Sequence, residues 1–278
     1  MASSQLEASP VREAYTCLTR ASSLAHRPGI VILDQDLPAL GALTGSKAQS
    51  HSLIAALERE GYLRPVRRST YVLVDSAGGV KSNLLDLIAA LTPRPYLLTA
   101  GRALQFHDLS DQHFRRVHVL VPTQLRSWSW RGDEVRYSRT DRPLRGDSTR
   151  TRKTRALIAT PERAIADSLA HPKWGVSLSQ VVEALDILLA RDPSCADRLA
   201  TEISEHDSHA LARRLGFLTA RLAGEDAARP FLPLRGPSKA ATLLRAGLDT
   251  TGPVDSTWNV QVNVDLEQLI RPRQSPDG

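Results

Sequence analysis

A cluster of small polar and basic side chains at the start of one amphipathic segment has the chemistry to bind nucleic acid. The cluster consists of Ser46, Lys47, Gln49, Ser50 and His51. An apolar stripe with helical spacing follows at Leu53, Ile54 and Leu57. We therefore expect a helix whose first turns face solvent and whose later turns are buried. Lys, Gln, Ser and His side chains in exposed first turns can bond to base edges and phosphates in the DNA major groove.

Three arginines follow this segment and could bind backbone phosphates. Arg64, Arg67 and Arg68 lie between strand-like runs at residues 62–63 and 71–74, and Gly61 has the position of a helix C-cap. The residues from 36 up to a short turn at 43–45 are typical of a preceding helix. This order predicts a winged helix-turn-helix with arginines at the wing tip. The alternative is a plain helical hairpin with a solvated basic loop.

A second basic stretch occupies residues 139–155 and is too polar to form a buried element. One interpretation is a second nucleic-acid patch through Arg150, Arg152, Lys153 and Arg155. The other is a solvated loop without a partner.

Charge is unevenly distributed along the 278 residues. Residues 81–160 contain 15 Lys and Arg against 7 Asp and Glu, a net of +8, whereas residues 1–80 have a net of +1 and residues 161–278 a net of −3. A nucleic-acid footprint clusters in this way. No apolar run is long enough for a membrane span, and no signal-peptide pattern is present, so we expect a cytoplasmic protein. Cys17 and Cys195 are far apart and indicate neither a disulfide framework nor a zinc site.

Signatures of catalysis, cofactor binding or metal binding are weak. The run at residues 202–209 contains Glu202, Glu205, His206, Asp207 and His209, but these spacings do not form one helical face. His107, His113 and His118 lack ligand partners at suitable spacing and are interpreted as surface or satisfied histidines. Neither a glycine-rich phosphate loop nor a nucleophile elbow is found. We therefore expect no enzyme activity, no cofactor and no metal.

The periodicity of the chain predicts the elements that hold these residues. The expected fold class is α+β: a winged helix-turn-helix domain at residues 1–80 and a larger mixed α/β domain at 81–278. Helices are expected at 11–26, 82–91, 99–107, 177–190, 194–205, 208–223 and 238–246, and strands at 30–33, 96–98, 117–121 and 156–159. Thr160-Pro161 begins a further helix in which Arg163 and Asp167 can pair, and Ser82 is expected to cap 82–91. A hairpin is expected around Trp128, Trp130, Val135 and Tyr137, the final strand alternates Val260, Val262 and Val264, and a disordered tail begins at 272.

Five stretches in a fixed order span nearly the whole chain. They are EGYL at 60–63, YLLTAGRALQFHDL at 96–109, ATPERAIADSL at 159–169, RRLGFL at 213–218 and WNVQVN at 258–263. In content and order they resemble the AbiEi family of antitoxins, from AbiE-type (type IV) toxin–antitoxin systems. One departure is Asp108, which stands in a turn where the family has glycine.

The resemblance implies a bipartite repressor and antitoxin without a catalytic site. The winged domain would bind inverted repeats in double-stranded DNA of its own promoter, and the larger domain would antagonise a toxin of the nucleotidyltransferase class. The resemblance carries over only the recognition-helix and wing positions already named, and it assigns no toxin-facing residue.

Two other functions stay open at this point. One is a ligand-responsive winged-helix regulator whose larger domain binds a small molecule. The other is a nucleic-acid-processing enzyme, which would need a carboxylate cluster near residues 139–155, where the available acids are Asp133, Glu134, Asp141 and Asp147. No heptad marks a dimer seam, so we expect a monomer in solution, while pairing on DNA half-sites stays open.

Overall fold

A computed structural model of the protein describes residues 10–150, 155–247 and 249–270. In chain order, its first elements are α1 (Pro10–Leu24), β1 (Ile30–Ile32), α2 (Leu33–Thr44), α3 (Lys47–Arg59), β2 (Leu63–Arg67), β3 (Thr70–Leu73), α4 (Leu84–Leu91), β4 (Leu97–Thr99), α5 (Gly101–Phe106), β5 (Arg116–Val121), β6 (Trp128–Trp130) and β7 (Asp133–Arg139). The remaining elements are β8 (Asp147–Arg150), β9 (Arg155–Ile158), α6 (Pro161–Ala170), α7 (Leu178–Arg191), α8 (Cys195–Ser204), α9 (His209–Ala223), α10 (Glu225–Ala228), β10 (Thr242–Leu243), β11 (Val254–Asp255), β12 (Val260–Gln261) and α11 (Leu266–Leu269), with 3-10 helices at Pro172–Trp174 and Arg229–Arg235.

The mixed α+β chain divides into two compact units. The smaller unit comprises residues 1–94, 128–132 and 148–156, and the larger unit comprises 95–127, 133–147 and 157–278. The expected domain boundary after residue 80 thus lies inside the smaller unit. No helix among the described residues is both long and apolar enough to cross a membrane.

In the smaller unit, three helices pack with a three-stranded antiparallel sheet of order β1-β3-β2. Ile30 of β1 lies opposite Val72 of β3, and the pairing of β2 with β3 shifts between Pro65 and Arg67. The buried core combines side chains of all three helices and all three strands: Ala14, Leu18, Val31, Leu40, Ile54, Leu57, Leu63 and Leu73. Because burying a leucine or isoleucine stabilises a fold by roughly 1.5–3 kcal/mol, this core fixes the position of α3.

The larger unit contains a mixed sheet in which four strands lie in the order β7-β5-β4-β9. Strand β5 runs parallel to β7 and antiparallel to β4, and β4 is parallel to β9. Every residue from Val117 to Val121 is buried, which is typical of an interior strand covered on both faces. Helix α6 is buried from Glu162 to Leu169 and contacts α5, α7, α8 and α9.

Several predicted helix starts are confirmed. Thr160 caps α6 by accepting a hydrogen bond from the Arg163 N–H, and Pro161 is the first helical residue. The helices expected at 177–190, 194–205 and 208–223 match α7, α8 and α9 within one residue at each end. By contrast, Asn83 and not Ser82 caps α4, because the Ser82 hydroxyl donates to the Pro28 carbonyl (3.1 Å).

Three other predictions are wrong in part. The expected helix at 238–246 is replaced by turns and β10, because the Arg213 guanidinium takes the carbonyls of Ser238 and Ala240 that a helix would need. The expected final strand shortens to β12, which follows Asn259 with a left-handed φ of 51°. The expected loop at 139–155 contains the last residue of β7, all of β8 and the first residue of β9. The tail from residue 272 lies outside the described residues.

Candidate nucleic-acid interface

The first turn of α3 presents most of the polar residues identified in the sequence. The Ser46 hydroxyl caps the helix by accepting a hydrogen bond from the Gln49 N–H (3.2 Å). The exposed polar and basic residues at the start of this helix include Ser46, Lys47, Gln49 and His51. Since Ile54 and Leu57 hold the opposite face in the core, the exposed face of α3 is free to contact another molecule.

Ser50 departs from the expected set. Its side chain is fully buried, and its hydroxyl bonds to the Ser46 carbonyl (3.0 Å) and the Thr44 hydroxyl (2.9 Å). Ser50 lies on the buried face of α3, one helical turn before Ile54, and its hydroxyl meets Thr44 at the end of α2. The prediction that Ser50 contacts DNA is corrected: it ties the two helices together.

The turn between α2 and α3 consists of two residues, Gly45 and Ser46. Helix α2 ends at Thr44, and Gly45 has a left-handed φ of 74° with its N–H donating to the Gly41 carbonyl (2.8 Å). A side chain at this φ would be strained, which explains why glycine ends α2 and allows Ser46 to cap α3 at once.

A buried ion pair that the sequence pattern did not reveal fixes α2 against the strand before it. The Arg27 guanidinium donates to both carboxylate oxygens of Asp36, at 2.7 and 2.6 Å, and also to the Ile30 carbonyl. Asp36 accepts a further bond from the Ile32 N–H (2.8 Å). Both side chains are less than a tenth exposed. This bidentate pair joins the residues on either side of β1 and thereby sets where α2, and with it α3, begins.

The arginines of the β2–β3 hairpin are exposed, but only part of this set lies at its tip. Arg68 is in the turn with Ser69, Arg67 is the last residue of β2, and Arg64 lies within the strand. The expectation that Arg64 sits at the tip is therefore wrong, because β2 extends four residues beyond Leu63. Among the described residues, none of the three forms an ion pair, so their charges are available to an external anion.

One open groove brings the start of α3 and the hairpin turn together. It has a volume of about 550 Å³, and its walls are formed by α2, the first turns of α3 and Ser69. Lys47 and His51 line it on one side, and Asp34 is the acidic residue in its wall. Neither Asp34 nor Ser69 was marked by any sequence pattern.

The second basic stretch contributes less free charge than its composition predicts. Arg139 pairs with Asp141 (3.1 Å), Arg145 pairs with Glu205 (2.8 Å), and Arg142 belongs to a buried network in which it pairs with Glu202. Of the expected patch, Arg152 and Lys153 lie outside the described residues, and only the backbone of Arg150 and Arg155 is described, in β8 and β9.

A buried network in the larger unit joins five titratable residues: Arg142, Arg163, Asp167, Glu202 and His206. Arg142 donates to Glu202 (2.6 Å) and to Nδ1 of His206 (2.8 Å), and the predicted Arg163–Asp167 pair is confirmed at 3.5 Å. Burial, followed by the nearby charge of Arg142, lowers the pKa of His206 to about 4, so this imidazole is neutral at pH 7. The network is internally balanced and joins the segment after β7 to α6 and α8.

The histidines and acids weighed as metal ligands take other roles. His107 bonds to the Ala159 carbonyl (2.7 Å), His113 pairs with Asp133 (3.2 Å), and the buried His118 stacks on Trp174. Within the described part of the chain, no group of three or more His, Cys, Asp and Glu residues could hold a metal ion.

Comparison with known proteins identifies a shared fold only. No protein-family model matches the chain, and no curated protein matches it. Among solved structures, the chain is similar to the RV2827C protein from Mycobacterium tuberculosis, with a TM-score of 0.65 over 89% of this chain and 90% of that chain at 16% sequence identity. At this identity the likeness concerns the mixed α+β fold and transfers no activity.

Proposed function

We propose that the N-terminal residues form a winged helix-turn-helix that binds double-stranded DNA. Helix α3 would enter the major groove with its first turn, and the β2–β3 hairpin would act as the wing. The observation that carries the proposal is the groove that joins Lys47 and His51 of α3 to Ser69 of the hairpin turn. The groove supports the proposal that α3 and the hairpin would contact the same DNA duplex through one surface.

The exposed side chains divide by chemistry into two roles. Gln49 can make a bidentate pair with an adenine edge, and Ser46 and His51 can bond to neighbouring base edges or phosphates. Lys47, Arg64, Arg67 and Arg68 would bind phosphates and position the domain without reading sequence. Four such contacts contribute a slope of about −3.6 to the dependence of log affinity on log salt concentration.

We further propose that the protein represses its own operon and acts as an antitoxin against a nucleotidyltransferase-type toxin. This part rests on the sequence resemblance to the AbiEi family. The larger unit would provide the toxin-antagonising function, for which the resemblance requires no catalytic residue. The internally paired charges around Arg142 and Asp167 are compatible with such a non-catalytic role.

A binding titration tests the DNA-binding proposal. The purified chain is titrated against DNA from upstream of its own gene and against a scrambled duplex of equal composition at physiological salt. A specific regulator is expected to prefer its own site by ~10³-fold or more. Equal and salt-sensitive affinity for both duplexes would reduce the proposal to general DNA binding and contradict the repressor role.

A growth assay tests the antitoxin proposal separately. The chain is expressed from an unrelated promoter together with any nucleotidyltransferase encoded beside it. Rescue of growth is expected both for the parent and for the double variant Arg67→Ala, Arg68→Ala, because repression is bypassed. Absence of rescue by the parent would refute the antitoxin role while leaving the DNA-binding proposal intact.

A further inference from the structure

A small cavity in the larger unit lies where α6, α7, α9 and the segment after β10 meet. Its volume is about 170 Å³, and its wall includes Ser168, Val181, Arg214, Leu244 and Arg245. Pockets for drug-sized ligands run to roughly 300–1,000 Å³, so this cavity suits a group of only a few heavy atoms.

Arg214 reaches this cavity with most of its hydrogen-bonding capacity unused. Its Nε–H donates to the Leu243 carbonyl (2.7 Å), and within the described residues its side chain has no other hydrogen bond or ion pair. A guanidinium carries five N–H donors, so four remain. The adjacent Arg213 differs, because its guanidinium makes four hydrogen bonds to backbone carbonyls. These are the carbonyls of Arg235, Gly236, Ser238 and Ala240.

The charged side chains in the described lining of the cavity are both arginines. No acidic residue lines it, and the exposed Arg245 in the same wall forms no ion pair with a described residue. Burial lowers the pKa of Arg214, and no neighbouring carboxylate opposes that effect. Asp265, which caps α11 by accepting from the Gln268 N–H (3.1 Å), lines an adjoining hollow with Arg245 and is not in the lining of this cavity.

Two arginines in one lining without a carboxylate match the charge of a phosphate dianion. Guanidinium groups bind phosphate oxygens through paired, charge-assisted hydrogen bonds. A carboxylate carries a single charge and would leave one arginine uncompensated. Helix α7 begins at the same wall, and its dipole adds to the positive field. We propose that this cavity binds a phosphate group, either as inorganic phosphate or as the terminal group of a small phosphate monoester.

Calorimetric titration of the full chain tests the proposal. Inorganic phosphate, phenyl phosphate and acetate are added separately at constant pH and ionic strength. We expect one phosphate per chain with a Kd on the order of 1 mM, and acetate at least ~10-fold weaker. Binding of both phosphate compounds would identify monoesters as possible ligands, whereas binding of inorganic phosphate alone would identify the free ion; each supports the proposal.

Variants locate the binding. Arg214→Gln is expected to weaken phosphate binding by ~10-fold or more, and the exposed Arg245→Gln by several-fold without risk to folding. Arg221→Gln, on the same helix but paired with Asp255, is the matched control and is expected to bind as the parent does. The double variant at Arg67 and Arg68 should also bind normally, which separates this site from the proposed DNA surface. Absent phosphate binding, equal binding of acetate, or unchanged binding by Arg245→Gln would each overturn the proposal.

Discussion

Replacing Arg67 and Arg68 with alanine should change the salt dependence of DNA binding in a calculable way. Both side chains are exposed, and neither has an ion pair within the described residues, so the fold should lose less than about 0.5 kcal/mol. Each lost phosphate contact removes about 0.9 from the slope of log affinity against log salt, so the double variant should be shallower by about 1.8. A fourfold rise in salt concentration would then reduce the ratio of the parent's DNA affinity to the variant's DNA affinity about 12-fold.

Fluorescence anisotropy at four salt concentrations between ~50 and ~200 mM measures this slope. The matched control is Arg12→Ala, Arg20→Ala, which removes the same charge from exposed positions of α1. Its slope should stay close to that of the parent. An unchanged slope for the Arg67 and Arg68 variant, or an equal change in the control, would refute the assignment of the hairpin to the phosphate backbone.

Three further outcomes follow from the same structure. Gln49→Ala should cost ~1–3 kcal/mol of discrimination at one base pair, measured by competition with single-base variants of the site; equal losses on specific and scrambled DNA would contradict base reading. Asp36→Ala leaves the buried Arg27 unpaired and should lower the free energy of unfolding by ~3–5 kcal/mol in urea, and a loss below ~1 kcal/mol would show that the pair does not hold α2. Burial, then Arg116, lowers the pKa of His118 from its ordinary 6.5 to about 4, so the folded state binds fewer protons than the unfolded chain between these values. This difference contributes about 3 kcal/mol to the free energy of unfolding. The contribution is fully present above pH 6.5 and is lost as the pH falls towards 4. His118→Phe should weaken this pH dependence, and an unaltered dependence in urea unfolding at several pH values would exclude His118 as its source.

Local patterns predicted those elements whose determinants are close in sequence. The Thr160-Pro161 helix start depends on neighbouring residues, and so does Gly61, which follows the C-cap residue Glu60 of α3 with a left-handed φ of 81°. The turn residue Asp108 adopts a left-handed φ of 54°, which explains why glycine suits that position.

Features that depend on how the elements pack were not predictable. The Arg27–Asp36 pair forms only because the chain folds back between β1 and α2, and Ser50 is buried because α3 packs that face against α2. Residues 238–246 have helical spacing, yet Arg213, more than twenty residues earlier, captures their carbonyls. The charge of Arg142 is neutralised by Glu202, sixty residues away, which no composition count reveals.

Site-specific photocrosslinking tests most directly whether the first turn of α3 lies in the DNA groove. A benzoylphenylalanine replaces Gln49 in one preparation and Arg20 of α1 in another, and each is irradiated with DNA from upstream of the gene. We expect crosslinks from position 49 at one or two short sites, lost on competition with unlabelled specific DNA, and none from position 20. Crosslinking from position 20 alone, or none from position 49 when the DNA is saturated, would contradict the claim that α3 reads DNA.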